Sequence, residues 1–402
     1  MKRVYIITTL VTLATVIFGF ILQAGYVTRL NQETLNLGFV CASDQSSAYT
    51  DNFIRVKDSL KEQYGNRIRI HFRYNIPEAD APKAFEELKD KGCKLIFATS
   101  SNFKKYAKIF AKSNRDIQVC AATADNANTS PVLPNYHTFM GCIYEGRYLT
   151  GVAAGLKLSE MINENKITKE TAKVGYVAAM SNPEVISGYT AFFLGIRSVV
   201  PSATMKVCYT GQWLDYKEET AVTEKLLNEG CVIIGQHTDT IAPAVSCEKV
   251  ASAGRNVYYV GYNSNMMDIA PTSSLISCSM NWEPYISQAV LAVLNKRNIE
   301  SMVDANTNGR DSWAGLDKNW VRINSMNPIA AAKDTEKKLK EVTKKLSSKK
   351  LMVFKGDYIG VDPEDSSMIY DLRTGFAENR NSSAPQFHYI LSGGITIENK
   401  AN

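Results

Sequence analysis

The feature that most constrains this chain is an alternation of short apolar strands with amphipathic helices, which occurs twice. It runs over about 35–125 and again over about 173–262. The strands, such as "CKLIFATS" and "CVIIGQ", are apolar on both faces. A strand buried on both faces belongs to a parallel sheet covered by helices on each side. The pattern therefore predicts an α/β fold with two lobes, each a doubly wound parallel sheet.

Composition agrees with two cores. The chain has 402 residues, 45% hydrophobic and 21% charged, and chains above about 250–300 residues usually divide into domains. The net charge of +6 is small, and the lysines concentrate near 333–355 in "KDTEKKLKEVTKKLSSKK". Because acidic residues alternate with them at helical spacing, this cluster is typical of a solvated helix face. No nucleic-acid partner is expected.

The N-terminus predicts a membrane attachment. "MKR" precedes the uncharged stretch "VYIITTLVTLATVIFGFILQ", which is typical of a targeting segment whose basic end stays in the cytoplasm. The stretch is longer than the roughly 7–15 apolar residues of a signal peptide core, and "LQA" before Gly25 is a poor cleavage site. We expect 1–27 to be a retained anchor, with a cleaved signal as the alternative. The rest would then lie on the outer face of the cytoplasmic membrane.

Reactive side chains predict neither a metal site nor a cofactor. The eight cysteines are spread singly with no CxxC pair, and the four histidines have no zinc-ligand spacing. The stretch "GQHTDT" at 235–240 places His237 two residues from Asp239, but on extended backbone their side chains point to opposite faces. No G-x-S-x-G or phosphate-binding loop accompanies them. A non-enzyme is expected, with His237 either a ligand contact or a buried structural residue, and Asp239 a ligand contact or a helix cap.

Candidate ligand contacts follow from a rule for parallel sheets: ligands bind at the carboxyl ends of the strands. Six predicted loops occupy that position, at 43–49, 99–103, 180–184, 211–215, 236–240 and 262–266. They supply polar groups such as Asp44, Ser47 and Ser100, and three aromatic rings suited to a flat ligand, Tyr49, Phe103 and Trp213.

Six further segments occur in order: "GCIYEGRYLTGVAAGL" (141–156), "KVGYVAAM" with "YTAFFLGIRSVVP" (173–201), "GQWLDYKEETA" (211–221), "QHTDTIAPA" (236–244), "YYVGYNSNM" (258–266) and "NWEPYISQAV" (281–290). With these segments the chain resembles, over about 35–325, the basic membrane protein family. Its members are extracytoplasmic substrate-binding components of ABC importers, of the purine-nucleoside receptor type. The resemblance implies a type I periplasmic-binding-protein fold with hinge strands between the lobes. It also implies a small ligand, no catalytic activity, and an ABC permease and ATPase as partners. The protein is expected to be a monomer.

The resemblance also assigns the family's ligand-contacting positions to individual residues of this sequence. Tyr49 stands at the aromatic residue that stacks on the base, and Thr50 replaces an asparagine. Met180 and Trp213 stand in the loops that wall the base. The acid that grips ribose is replaced by Asn263, and Met280 stands where nucleoside receptors have a lysine.

Those replacements bear on the ligand. An amide binds two adjacent hydroxyls less strongly than a carboxylate, because it is neutral and also donates. A purine nucleoside, a free base and another flat polar ligand all stay open. A membrane-tethered sensory receptor is the alternative function. The expected division is 35–138 with about 272–325 as lobe 1, 139–271 as lobe 2, and 326–402 as an extension packing on the lobes.

Overall fold

A computed structural model describes residues 15, 34–324 and 326–398. The predicted anchor, 1–27, lies outside the described residues apart from Thr15. Within the described ranges, no helix combines the length and apolar content needed to cross a membrane.

The first lobe contains a seven-stranded sheet in the order β11-β12-β5-β4-β3-β1-β2. Its strands are β1 (Leu35–Val40), β2 (Ile68–Arg73), β3 (Cys93–Ala98), β4 (Gln118–Ala122), β5 (Tyr136–Gly141), β11 (Asn306–Asn308) and β12 (Asp311–Ala314). Its helices are α1 (Ala48–Tyr64), α2 (Ala81–Asp90), α3 (Lys104–Ser113) and α8 (Glu283–Leu294). Every pairing is parallel except β11 with β12.

The second lobe contains another seven-stranded sheet, in the order β13-β10-β9-β8-β6-β7-β17. Its strands are β6 (Lys173–Ala178), β7 (Thr204–Tyr209), β8 (Ile233–His237), β9 (Tyr258–Tyr262), β10 (Ser274–Met280), β13 (Val321–Ile323) and β17 (Ile395–Glu398). Its helices are α4 (Ile143–Asn163), α5 (Pro183–Arg197), α6 (Tyr216–Asn228) and α7 (Ala242–Ala251). The sheet is parallel except for β13, which runs antiparallel to β10.

Helix caps fix the loops at the carboxyl ends of the strands. Ser47 accepts a hydrogen bond from the Thr50 amide at the start of α1, 3.2 Å away. Asn182 and Asp215 do the same for α5 and α6, each at 3.0 Å. Side-chain capping satisfies amides that have no partner within the helix. Three loops that follow β1, β6 and β7 are thereby held in defined positions.

The chain crosses between the lobes after β5, after β10 and between β12 and β13. These crossings touch: a Cβ added at Gly141 would lie 2.8 Å from the Met280 sulfur and 3.0 Å from the Trp320 carbonyl oxygen. The expected division assigned 272–325 to lobe 1, whereas β10 and β13 within that range pair in the second sheet. The division differs because the chain enters the second sheet twice more before it ends.

The C-terminal residues attach to both lobes. Helix α9 (Thr335–Ser347) packs on α4, and β14 (Ile359–Val361), β15 (Ile369–Asp371) and β16 (Ile390–Leu391) form a small antiparallel sheet. The Ser383 amide donates to Asp311 of the first lobe at 2.7 Å, while β17 extends the second sheet beside β7. The apolar stretch "KLMVFKG" (350–356), which a sequence pattern favours as a strand, forms none: within it, Phe354 alone makes an isolated bridge, with Phe376.

Candidate functional site

A cavity of ≈ 370 Å³ lies between the lobes, at the carboxyl ends of both sheets. Its size falls within the usual range for small-molecule sites. Residues of the first lobe that line it are Ala42, Ser43, Ser47, Tyr49, Thr50, Thr99, Ser100, Ser101, Asn102 and Thr123. Those of the second lobe are Met180, Glu184, Gly211, Gln212, Trp213, Leu214, Asp239 and Tyr262.

Tyr49 supplies the aromatic face of the first lobe. Its hydroxyl donates to the Thr99 carbonyl oxygen at 2.6 Å. Its ring meets Phe53 and Trp282 edge-on, with centroids 5.5 and 5.8 Å apart. A tyrosine anchored at its hydroxyl and at its ring edge has little rotational freedom, so it offers a preformed surface to a ligand.

Trp213 supplies an aromatic surface on the second lobe. It lies in the loop between β7 and α6, and its carbonyl oxygen accepts the Asp239 amide at 2.8 Å. Its ring meets the His237 imidazole edge-on at 5.8 Å between centroids. The indole is half-buried, with part of its surface in the cavity wall.

A buried arginine lies behind this wall. Arg147 of α4 is fully buried, and its guanidinium carbon sits 3.9 Å from the centroid of the Tyr262 ring. It donates to the Gln236 carbonyl oxygen at 2.7 Å. Burial lowers the pKa of His237 well below its ordinary value, and the charge of Arg147 lowers it further. The imidazole is therefore neutral at physiological pH, and neither of its ring nitrogens has a hydrogen-bond partner among the described residues.

Two carboxyl groups face the cavity from the second lobe. Burial raises the pKa of Asp239 to about 8, and the nearby Glu219 and Glu184 carboxylates add to the effect. Burial also raises the pKa of Glu184 to about 7, although the positive charge of Arg147 opposes the shift. A group titrating near pH 7 inside a cleft is a recognised mark of a functional site.

Glu219 of α6 organises the loop that carries Asp239. Its carboxylate accepts the hydroxyls of Thr238 and Thr240, each at 2.7 Å, and the Gln236 amide at 3.3 Å. These bonds turn the chain sharply after β8. The turn brings Asp239 into the cavity wall while His237 packs behind it.

Most of the predicted contacts lie in the cavity wall: Ser47, Tyr49, Thr50, Ser100, Met180, Trp213 and Asp239. The remaining five lie elsewhere. Asp44 is on the surface and accepts from Asn75 at 2.9 Å, and Phe103 is buried in the core of the first lobe. Met280 is buried at the hinge, where it meets Gly141.

Asn263 and His237 are also outside the wall. Asn263 accepts a hydrogen bond from Asn52 at 3.1 Å, and both amides are buried. His237 is fully buried behind the wall. The Asn263 side chain is engaged by a contact between the lobes, and the His237 ring packs against Trp213 and Tyr262 within the second lobe. Strand-end position alone reveals neither contact.

Sequence reasoning did not single out Glu184 or Tyr262. Glu184 stood within the predicted loop 180–184 but had no motif around it. Tyr262 is the last residue of β9 and opened the predicted loop 262–266, so the strand-end rule reached its position without naming it as a contact. Across the described ranges, no cluster of histidine, cysteine or acidic side chains is arranged to hold a metal ion.

Two lobes of parallel sheet, three crossings and a cavity at the strand ends define a type I periplasmic-binding-protein fold. A solute-binding protein of an ABC transporter system from Aeropyrum pernix K1 has this fold, with a TM-score of 0.64 at 14% identity. That similarity covers 83% of this chain and 95% of the other. The predicted fold class is confirmed.

The chain belongs to the family described as "ABC transporter substrate-binding protein PnrA-like", which matches residues 49–352. This confirms the predicted family. A purine-binding protein of Brucella abortus (strain 2308) is 28% identical over 328 residues, which is 81% of this chain and 84% of that protein. A putative ABC transporter glucose-binding protein of Haloferax volcanii is 24% identical over 354 residues, 88% of this chain and 82% of that protein. Substrate-binding proteins of ABC importers work outside the cytoplasm.

Proposed function

We propose that this protein binds a purine compound in the cavity between its lobes and delivers it to an ABC permease driven by an ATPase. The observation that carries the proposal is a single cavity with Tyr49 in one lobe's wall and Trp213 in the other's. A flat heterocycle gains about 1–3 kcal/mol per base from an aromatic surface. The purine-binding relative from Brucella supports the same ligand class.

The polar groups of the wall suit the edges of such a heterocycle. Ser100 and Thr123 of the first lobe can donate and accept, and the second lobe adds the Gln212 amide and the Asp239 and Glu184 carboxyl groups. Hydrogen bonds in a closed cavity discriminate strongly, because an unmatched buried group loses its water without replacement. A free base and a nucleoside both carry donors and acceptors that can pair with these groups of the wall.

Binding, without catalysis, is the function that the geometry favours. His237 is buried behind the wall and held neutral, so it is poorly placed as a general base for a bound ligand. The family consists of substrate-binding proteins. We propose that the protein acts as a monomer and that 1–27 keeps it attached to the outer face of the cytoplasmic membrane.

A sugar is the second candidate ligand, because a relative from Haloferax is named as a putative glucose-binding protein. The hydroxyl side chains of Ser47, Thr50, Ser100 and Thr123 in the wall are compatible with it. Aromatic side chains also pack against sugar rings. The two candidate ligands differ in that a purine carries N–H groups and a sugar carries only hydroxyl groups. A panel of ligands can therefore distinguish them.

A thermal-shift screen of the full-length protein in mild detergent tests the proposal. Adenine, hypoxanthine, adenosine, glucose and an amino-acid mixture are compared at millimolar concentration. A ligand at a hundred times its Kd stabilises the folded form by about 2.7 kcal/mol. We expect at least one purine compound to raise the Tm and glucose to leave it unchanged. A shift with glucose alone would overturn the purine assignment.

A further inference from the structure

Asp239 joins the two lobes across the cleft. It follows β8 of the second lobe, yet its carbonyl oxygen accepts the Ala48 amide of α1 in the first lobe at 3.3 Å. Its Oδ2 atom accepts the Ser47 hydroxyl at 3.4 Å. Its own amide donates to Trp213 at 2.8 Å. One residue therefore contacts the first turn of the helix that carries Tyr49 and the loop that carries Trp213.

The second carboxyl oxygen of Asp239 is the one available to a ligand. Asp239 lines the cavity and is 8% exposed. Among the residues that the structure describes, no donor lies within hydrogen-bonding distance of its Oδ1 atom, although the Asn263 side-chain amide, whose nitrogen also has no partner, is close enough to lower the pKa of the carboxyl group. A buried acceptor without a donor is unfavourable. A donor from a bound ligand would satisfy it in the same arrangement that holds the lobes together.

A second bond between the lobes lies outside the cavity wall. The Asn52 side-chain amide of α1 donates to the Asn263 side-chain oxygen after β9, at 3.1 Å. The two residues are 4% and 1% exposed. This bond contributes to closure without touching the ligand. It therefore provides a way to separate closure from recognition.

We propose that Asp239 is the specificity-determining residue that couples ligand recognition to closure, by accepting a hydrogen bond from an N–H group of the ligand. This inference rests on the proposed function and narrows it to purines with an unsubstituted N–H at that point. A ligand lacking the N–H leaves Oδ1 without a donor inside a closed cavity. Such a ligand opposes closure, and a ligand with the N–H favours it.

The surroundings of Asp239 agree with a donor as its partner. Glu219 from α6 and Glu184 from α5 face it with negative charge, and the Tyr49 hydroxyl lies on the α1 side. The Ser47 hydroxyl and the Asn263 amide act in the opposite direction by favouring the ionised form. An N–H group of the ligand also favours the ionised form of Asp239, because a hydrogen bond donated to a carboxylate favours ionisation. Ligand binding is accordingly expected to release a proton.

The test compares three probes, adenine, 9-methyladenine and N6,N6-dimethyladenine, by calorimetry on the full-length protein. For the wild type, at least one methylated probe should bind about ten- to a hundredfold more weakly than adenine, the range for a lost hydrogen bond to a charged group. Asp239→Ala should reduce that ratio to below about threefold. Asp239→Asn keeps one acceptor oxygen and should recover part of the discrimination.

Asn52→Ala is the matched control. It should weaken all three probes by a common factor and leave their ratio unchanged, because Asn52 lies outside the cavity wall and its side-chain amide bonds to Asn263, not to Asp239. Small-angle scattering of each variant with saturating adenine reports the closed fraction, and circular dichroism reports folding. Equal binding of all three probes to the wild type, or a wild-type ratio in Asp239→Ala, overturns the inference while the purine assignment stands. Failure of every probe, and of adenosine, to bind the wild type overturns the purine assignment itself.

Discussion

Truncating Trp213 to alanine should weaken purine binding without unfolding the protein. The loop position is held through the backbone, because the Trp213 carbonyl oxygen accepts the Asp239 amide at 2.8 Å. Removing the ring therefore removes mainly its contact with the ligand. Base–aromatic stacking measured by alanine substitution is about 1–3 kcal/mol. At 1.4 kcal/mol per factor of ten, the Kd for adenine should rise about 5- to 150-fold.

Calorimetry with adenine at 25 °C measures this loss. Trp213→Phe keeps a smaller ring and should lose less. Tyr216→Ala is the matched control, since Tyr216 begins α6 close by and is 51% exposed, outside the cavity wall. A Kd for Trp213→Ala within twofold of the wild type would refute the assignment of Trp213 to the ligand wall.

Fluorescence gives an independent readout of the same prediction. Trp282, Trp313 and Trp320 are buried, at 2, 6 and 2% exposure, so Trp213 should dominate any change of emission when ligand binds. Trp213→Phe should abolish that change while adenine still binds at higher concentration. Persistence of the full emission change in Trp213→Phe would show that the change arises from the buried tryptophans and not from Trp213 in the cavity wall.

Three further outcomes follow from the site. Adenine affinity should rise between about pH 6 and pH 9, because a ligand N–H favours the ionised forms of Asp239 and Glu184. Burial raises the pKa values of these two groups to about 8 and about 7. Calorimetry that finds tighter binding at pH 6 would contradict this. The unliganded protein should lose stability over the same rise in pH, because carboxyl groups whose pKa is higher in the folded than in the unfolded state destabilise the folded state when they ionise. Urea unfolding of Asp239→Asn should show a smaller loss. Glu219→Ala should lower the free energy of unfolding by about 2–4 kcal/mol, because two buried hydroxyls and an amide lose their acceptor. Glu224→Ala, on the exposed face of the same helix, is the control and should lower it by under about 0.5 kcal/mol. Urea unfolding measures both values.

The two-lobed architecture was predictable because strand and helix periodicity are local. Runs such as "CKLIFATS" and "CVIIGQ" are buried on both faces and form β3 and β8 in parallel sheets. The strand β10 was not predicted, and its range was given to the other lobe. Its placement beside β9 depends on where the chain crosses the hinge, which is a property of the whole fold.

The strand-end rule found much of the cavity wall and failed where the lobes meet. Tyr49 and Trp213 lie in the wall, and their role as ligand contacts stays a prediction. Asn263 was assigned to the ligand by family position, whereas its side chain bonds to Asn52 of the other lobe. Residues 52 and 263 are far apart in sequence, so their pairing follows from closure of the cleft. No local pattern carries that information.

The central claim is that a purine compound binds between the lobes and holds them closed. Calorimetric titration of the full-length protein with adenine, paired with glucose in the same buffer, tests it most directly. We predict one adenine bound per chain, with affinity reduced at least fivefold in Trp213→Ala, and no heat of binding for glucose. Saturable one-to-one binding of glucose, together with no binding of adenine or adenosine, would contradict the account.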